Sequence, residues 1–239
     1  MDKVIVNDKS TAIVIPTLNE EMSIAKVLEE ISLAMDKHKH WVIVVDGHSS
    51  DNTLKIAKEN GAIAIFQNNN GYGDALFSGF QYVNKYLDAD IIIMMDGDLT
   101  YDPKDIHNLK GPILEGSADF VVGNRFKGLQ KGSMSFLNRL GNRLLSWFAR
   151  VALEIRVNDT QSGMRAFRTE FLKKMNPISN GMPFATELLV EAKLAGARIT
   201  EVPIVYRPRV GDSKLNALKD GTRIFTTILR LTKRTEIYT

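Results

Sequence analysis

Two aspartates, Asp96 and Asp98, follow directly on five consecutive apolar residues, Ile91 to Met95. An unbroken apolar run of this length suits a strand buried on both faces of a parallel sheet. Carboxylates belong just past the carboxyl edge of such a sheet, where open α/β folds gather their ligands. Two like charges one residue apart repel unless positive charge sits between them, and hard cations such as Mg²⁺ or Mn²⁺ take oxygen ligands. The pair reads as a metal site, set against the plainer reading of Asp-Gly as a turn dipeptide.

The elements that must position this pair repeat one rhythm. A strand, Thr11–Pro16, leads through Thr17-Leu18-Asn19-Glu20-Glu21 into an amphipathic helix from about Met22 to Lys37, with Asn19 placed to cap it. A second buried strand, Trp41–Asp46, precedes a polar turn and a helix over Leu54–Asn60, capped by Ser50 or Asp51. Asp46 stands where a dinucleotide fold meets a ribose or base edge, yet no Gly-x-Gly-x-x-Gly follows the first strand. After a third strand, Ala62–Phe66, residues Gly71, Gly73 and Asp74 open a helix to about Tyr86. Glycines there either admit a ligand to the backbone or make a tight turn. A further helix starts at Pro103, and the strand Asp119–Asn124 ends against Arg125. Alternation of this kind implies an α/β fold, a mainly parallel sheet with helices on both faces.

Beyond Arg125 the rhythm breaks. A Gly/Lys-containing loop leads to a helix, Leu137–Leu153, with Leu137, Leu140, Leu144, Trp147, Phe148 and Val151 on one side and Arg139, Arg143 and Arg150 on another. Either the apolar stripe packs on the core under solvated arginines, or the helix lies near anionic lipid headgroups. The polar turn Asn158–Arg165 enters a short strand, Ala166–Phe167, and a helix over Ala185–Ala195 carries Glu187 and Glu191. A strand, Ile199–Tyr206, then meets the basic loop Arg207–Lys214. The last helix, about Leu218–Arg234, separates Lys219, Arg223, Arg230 and Arg234 from Ile224, Phe225, Ile228 and Leu231, and could rest on a membrane or seal the domain.

Composition narrows the chemistry. With 239 residues, 44% of them apolar, and no low-complexity stretch, the chain suits one domain with an ample core. The absence of cysteine excludes disulfides, thiolate catalysis and a cysteine-ligated zinc. His38, His40, His48 and His107 show no metal spacing. Net charge is +3, but 125–150 holds six Lys/Arg and no Asp/Glu, and 207–239 eight against three. The late half is thus an anion-binding side opposite an acidic, metal-binding early half. No nucleic-acid-reading motif is present, which puts RNA or DNA aside as the anion. Without a signal-peptide pattern or an apolar run near 18 residues, a soluble or peripheral chain is expected.

Six motifs, Pro16–Glu20, Asp46–Asp51, Asp96–Asp98, Gly123–Arg125, Asp159–Arg165 and Arg209–Lys214, occur in the order of glycosyltransferase family 2. More narrowly they resemble its dolichyl- or polyprenyl-phosphate hexose transferases, the dolichol-phosphate mannosyltransferase group. The resemblance implies one GT-A domain: a nucleotide-sugar and metal half over 1–125, an acceptor half over 126–217, and a C-terminal amphipathic helix over 218–239. It implies inverting transfer of a hexose from a GDP- or UDP-sugar to polyprenyl (dolichyl) phosphate. By the family pattern Pro16, Asn19, Glu20, Asp46, Asp74, Asp96, Arg207, Arg209 and Lys214 bind the nucleotide-sugar, and Asp96 and Asp98 hold Mg²⁺ or Mn²⁺. Asp98, Asp159 and Arg125 form the catalytic group, and Arg125, Ser135 and Arg139 receive the acceptor phosphate. The chain departs from that pattern at Thr100, where the mannosyltransferases carry a glutamine ligand, and at Asn70, where relatives often carry lysine.

The location implied is the cytoplasmic face of a membrane, peripherally attached, with room for a membrane-spanning partner subunit. A phosphate-ester acceptor has a second pKa of about 6, so it is already an anionic nucleophile at neutral pH. It needs cations that let two anions approach more than it needs a base, and Asp159 as base suits a hydroxyl acceptor better. The alternatives are a family 2 transferase acting on a sugar or protein hydroxyl, and a catalytically silent nucleotide-sugar-binding module.

Overall fold

In the computed structural model, which describes residues 9–211 and 217–238, strand β4 (Ile91–Met94) is buried along its whole length. Its alternate side chains enter two different cores, Ile92 and Met94 on one face of the sheet and Ile91 and Ile93 on the other. That is why the run is continuously apolar rather than alternating. Around it the seven strands run in the order β3 (Ile63–Phe66), β2 (His40–Asp46), β1 (Thr11–Thr17), β4, β6 (Arg165–Arg168), β5 (Phe120–Asn124), β7 (Ile199–Pro203). Strand β1 pairs in parallel with β2 and β4, and β5 in parallel with β7. Only β6 runs antiparallel to its neighbours, β4 and β5. A mainly parallel sheet is what the β-α rhythm predicts. The reversed strand falls where that rhythm breaks.

Helices α1 (Ile24–Ala34), α2 (Thr53–Glu59) and α4 (Asp105–Leu114) cover one face through Ile24, Val27, Ile31, Ala57, Ile106 and Leu109. Helices α3 (Tyr72–Tyr86), α5 (Phe136–Leu153), α6 (Phe184–Leu194) and α7 (Ala217–Tyr238) cover the other. There Phe120 stacks on Phe167 at 5.4 Å and Phe80 meets Phe167 edge-on at 5.3 Å. Each such ring contributes about 1.5–3 kcal/mol by leaving water. The chain steps outward from β1 to β2 and β3, then returns to the opposite side of β1 as β4. This switch opens a crevice at the carboxyl ends of β1 and β4, and Asp96 and Glu20 both follow those ends.

Several local expectations change. Ser23, not Asn19, precedes α1, and Asn19 adopts a left-handed backbone (φ 50°). Asn52 precedes α2, while Asp51 accepts the Thr53 N–H at 2.9 Å. Strand β7 ends at Pro203, and the next residues bridge singly, Tyr206 to Tyr101 and Leu129. The core-packed reading of the α5 stripe fails for most of its members. Small residues, Ser146 and Ala149, bring α5 onto the core together with Leu153, while Phe136, Leu137, Leu140, Leu144, Trp147 and Val151 are 45–77% exposed. From the stripe Phe148 turns inward and stacks on Phe225 of α7 at 4.8 Å. In α7, Ile224, Ile228 and Leu231 are buried, whereas Phe225 and Leu229 are exposed. No described helix is long and apolar enough to cross a membrane.

Candidate active site

The loops leaving β1, β2 and β4 each contain a non-glycine residue with positive φ: Asn19, His48 (62°) and Leu99 (65°). For a leucine this conformation costs about 1–3 kcal/mol, and such strain is retained where the surroundings enforce it. Its consequence at Leu99 is that Thr100 folds back on Asp98. The Thr100 N–H and hydroxyl donate to Asp98 Oδ1 at 3.1 and 2.6 Å. Thr100 therefore orients the carboxylate beside it. The first two loops are stitched together, with Asn19 N–H donating to Ser49 Oγ (2.8 Å), Ser50 N–H to Asn19 Oδ1 (2.7 Å) and Glu20 N–H to Thr53 Oγ1 (2.7 Å). Pro16 is buried within β1, and Asp46 is buried where it accepts the Ser49 N–H at 2.8 Å and the Ser49 and Thr17 hydroxyls. Asp74 is likewise turned inward and accepts the Asn69 N–H (2.7 Å) and Nδ2 (2.9 Å). In this arrangement both aspartates brace the loops that rim the crevice.

Asp96 receives the Tyr72 hydroxyl at 2.9 Å from the first turn of α3. Burial, and then the charge of Asp98, push Asp96 up to about 7, while Tyr72, Arg125 and Arg209 pull the other way. Burial also raises Tyr72 and Tyr101, which keeps both phenols protonated and leaves Tyr72 a donor to Asp96. The Gly163 N–H donates to the Tyr101 hydroxyl at 2.7 Å. A Cβ at Gly163 would lie 2.7 Å from Asp96 Oδ2 and 3.0 Å from that hydroxyl, so the motif containing Gly163 walls the acid at van der Waals contact.

Opposite the acids stand two arginines. Arg125 is 6% exposed and locked onto the fully buried Asp159: Nε to Oδ2 and Nη2 to Oδ1, both 2.8 Å, and its N–H to Oδ2 at 3.0 Å. Burial opposes the Arg125 charge, but Asp159 outweighs it and holds the guanidinium above its ordinary pKa. Its guanidinium lies 5.3 Å from the centre of the Tyr206 ring. Arg209 reaches Asp98 Oδ2 at 2.9 Å and also pairs with Glu20. The sequence-derived juxtaposition of early acids and a late basic loop is thus present. Arg207, by contrast, is turned to Glu30 (2.8 Å) and Asp102, and Lys214 lies outside the described residues. Ser135 caps α5 by accepting the Asn138 N–H at 3.2 Å, and Arg139 is exposed one turn further on. Neither is brought against Arg125 by a described contact.

Among the described residues no three His, Cys, Asp or Glu side chains converge as a complete metal cage. Asp96 and Asp98 supply carboxylate oxygens, the hard donors that Mg²⁺ or Mn²⁺ takes, at one edge of the sheet. Sequence reasoning did not single out Tyr72, Tyr101, Tyr206 or Gly163. Tyr72 lies between Gly71 and Gly73, and Gly163 inside Asp159–Arg165, but Tyr101 and Tyr206 carry no local mark, since their roles come from elements far apart in the chain.

The sequence model of the family described as "Glycosyl transferase family 2" matches residues 12–175. The chain belongs to glycosyl transferase family 2. It is 39% identical over 215 residues to the low-salt glycan biosynthesis hexosyltransferase Agl6 of Haloferax volcanii, covering 89% of this chain and 51% of that protein. The chain thus spans about half of that relative. It is 35% identical over 221 residues to a dolichyl-phosphate hexose transferase of the same organism, covering 92% of each. Glucosyl-3-phosphoglycerate synthase from Mycobacterium tuberculosis, solved with Mn²⁺, UDP and glucosyl-3-phosphoglycerate, superposes with a TM-score of 0.78 at 23% identity, over 95% of this chain and 81% of that one. This likeness shows the GT-A fold. The protein is a glycosyltransferase.

Proposed function

We propose that this family 2 enzyme moves a hexose from a nucleotide-sugar to a polyprenyl phosphate at a membrane surface, with inversion at the anomeric carbon. The observation that carries the reading is the opposition of Asp96 and Asp98 to Arg125 and Arg209 at one sheet edge. The relative that covers 92% of each chain, a dolichyl-phosphate hexose transferase, supports the acceptor class. A divalent cation on Asp96 and Asp98 would supply Lewis-acid stabilisation to the departing diphosphate. Arg209 faces the same leaving group. Arg125 attracts the acceptor phosphate, whose oxygen attacks the anomeric carbon from the side opposite the diphosphate as the glycosidic C–O bond breaks. The attacking oxygen is already anionic, so no side chain has to take a proton.

Asp159 is committed through both oxygens to Arg125 and has no exposed surface. Its part is to hold that guanidinium in place rather than to act as base. The outward apolar faces of α5 and α7, edged by Arg139, Arg143, Arg150 and Arg223, suit an anionic bilayer surface and would bring the lipid's phosphate to the crevice.

The deciding assay incubates the enzyme and Mn²⁺ with radiolabelled UDP- and GDP-hexoses and polyprenyl phosphate in vesicles. Label that enters organic solvent, is released by mild acid and needs the metal is the expected result. Label found only in a water-soluble glycoside refutes the lipid acceptor and favours a hydroxyl acceptor. No transfer from any donor refutes the reading in favour of a silent binding module.

A further inference from the structure

Arg209 occupies a position that the donor chemistry cannot leave unchanged. Its Nη1 lies 2.9 Å from Asp98 Oδ2 and its Nη2 pairs with Glu20. The backbone holds it there, with Val210 N–H donating to Asp98 O at 3.2 Å and Arg207 N–H to Thr100 O at 2.7 Å. Asp98 Oδ1 is meanwhile taken by the N–H and hydroxyl of Thr100. The only carboxylate oxygen left to Asp98 for a cation is therefore the one Arg209 holds. A divalent ion on that oxygen would share it with a guanidinium nitrogen 2.9 Å away, which would put two positive centres within roughly 5 Å of each other. The guanidinium is also incompletely satisfied. Its buried Nε has no hydrogen-bond partner among the described residues, an arrangement that an additional acceptor would relieve.

We propose that Arg209 stands in for the cation on Asp98 and gives up that oxygen only when a nucleoside diphosphate offers it oxygens instead, so that metal and nucleotide enter the site together. The inference rests on the donor half of the proposed function, and not on its acceptor. A phosphate accepts from two guanidinium N–H groups at once, so the exchange trades one charge-assisted pair for another and gives Nε an acceptor. Asp98 is released at the same moment for the metal. Because binding linkage is reciprocal, Mn²⁺ must then raise nucleotide affinity by the factor by which nucleotide raises Mn²⁺ affinity.

The test measures Mn²⁺ binding from the electron paramagnetic resonance of the free ion, alone and with UDP or GDP, without turnover. For the unaltered enzyme, Mn²⁺ alone should bind weakly, and the nucleotide it recognises should strengthen binding roughly 10–100-fold. Arg209→Met should cross this pattern, binding Mn²⁺ alone about tenfold more tightly and Mn²⁺ with nucleotide less tightly. Arg209→Lys, which keeps the charge, should follow the unaltered enzyme, and Asp98→Asn added to Arg209→Met should erase the gain. If Arg209→Met does not fold, Arg209→Gln is read in the same way. The proposal is overturned if removing the guanidinium leaves Mn²⁺ binding without nucleotide unchanged or weaker, or if the gain survives the loss of Asp98. An enzyme acting on a different acceptor would still give the crossed pattern, so this test and the lipid-product assay fail independently.

Discussion

Replacing Asp159 by asparagine separates an anchor from a base. The carboxylate is fully buried and its Arg125 partner 6% exposed, with two 2.8 Å contacts in parallel and a third to the Arg125 N–H. Solvent screening is therefore slight, and removing one charge leaves the other buried without a counter-ion, a loss of about 3–5 kcal/mol. Asparagine keeps one acceptor oxygen, which places the expected loss near the lower limit. For a domain of this size 1 kcal/mol shifts Tm by about 2–4 °C, so Asp159→Asn should melt on the order of 10 °C lower. Arg125 would also move, and a displacement near 1 Å costs about 100-fold in turnover. Calorimetry and a transfer assay with saturating donor, on the same preparations, measure both. An anchor loses stability and activity together, whereas a base loses activity with Tm unmoved. The double variant Arg125→Met/Asp159→Leu, which fills the space with apolar groups, should recover most of the stability and none of the activity. A Tm within about 2 °C of the parent for Asp159→Asn would refute the reasoning.

Asp119 tests the fold by pH. Hydrogen bonds from Arg198, with Arg168 alongside, hold its carboxyl at about 2, so its stabilisation is complete above the ordinary value near 4 and is lost as pH falls through about 2. Asp119→Asn should lower Tm by about 2–4 °C at pH 7, with the difference from the parent closing below pH 4; a constant difference down to pH 2 would contradict the assignment. Gly163→Ala places a methyl 2.7 Å from Asp96 Oδ2, and should weaken Mn²⁺ binding in the presence of nucleotide about 10–100-fold with a smaller Tm loss than Asp159→Asn. Unchanged Mn²⁺ affinity would show that Asp96 is no ligand. On the outer face, Leu137→Glu/Leu144→Glu should cut flotation with anionic vesicles tenfold or more and leave Tm within about 2 °C, because both side chains are exposed. Undiminished flotation would remove α5 from the membrane contact.

Much of this protein is written locally. The apolar runs that became β1, β2, β4 and β5 state their burial directly, since a strand covered on both faces has no polar positions to alternate with. Their spacing carries the helices between them, and the polar residues after each run mark the ligand edge. Asp96 and Asp98 were legible for that reason. Strand order was not, because which neighbour a strand takes depends on packing among segments far apart in the chain, and β6 slips antiparallel between β4 and β5 without any mark in its own four residues. Nor could composition decide which side of α5 meets the core. Ser146 and Ala149 win that side because small residues let the helix approach closely, leaving the larger leucines and Trp147 outside. The sequence by itself determined the alternating layers, the acidic pair and the basic late loop. Only the tertiary structure decided that Asp159 is spent on Arg125 and that Arg209 rests on Asp98, since the sign of a charge is local while its partner is chosen by geometry across the chain.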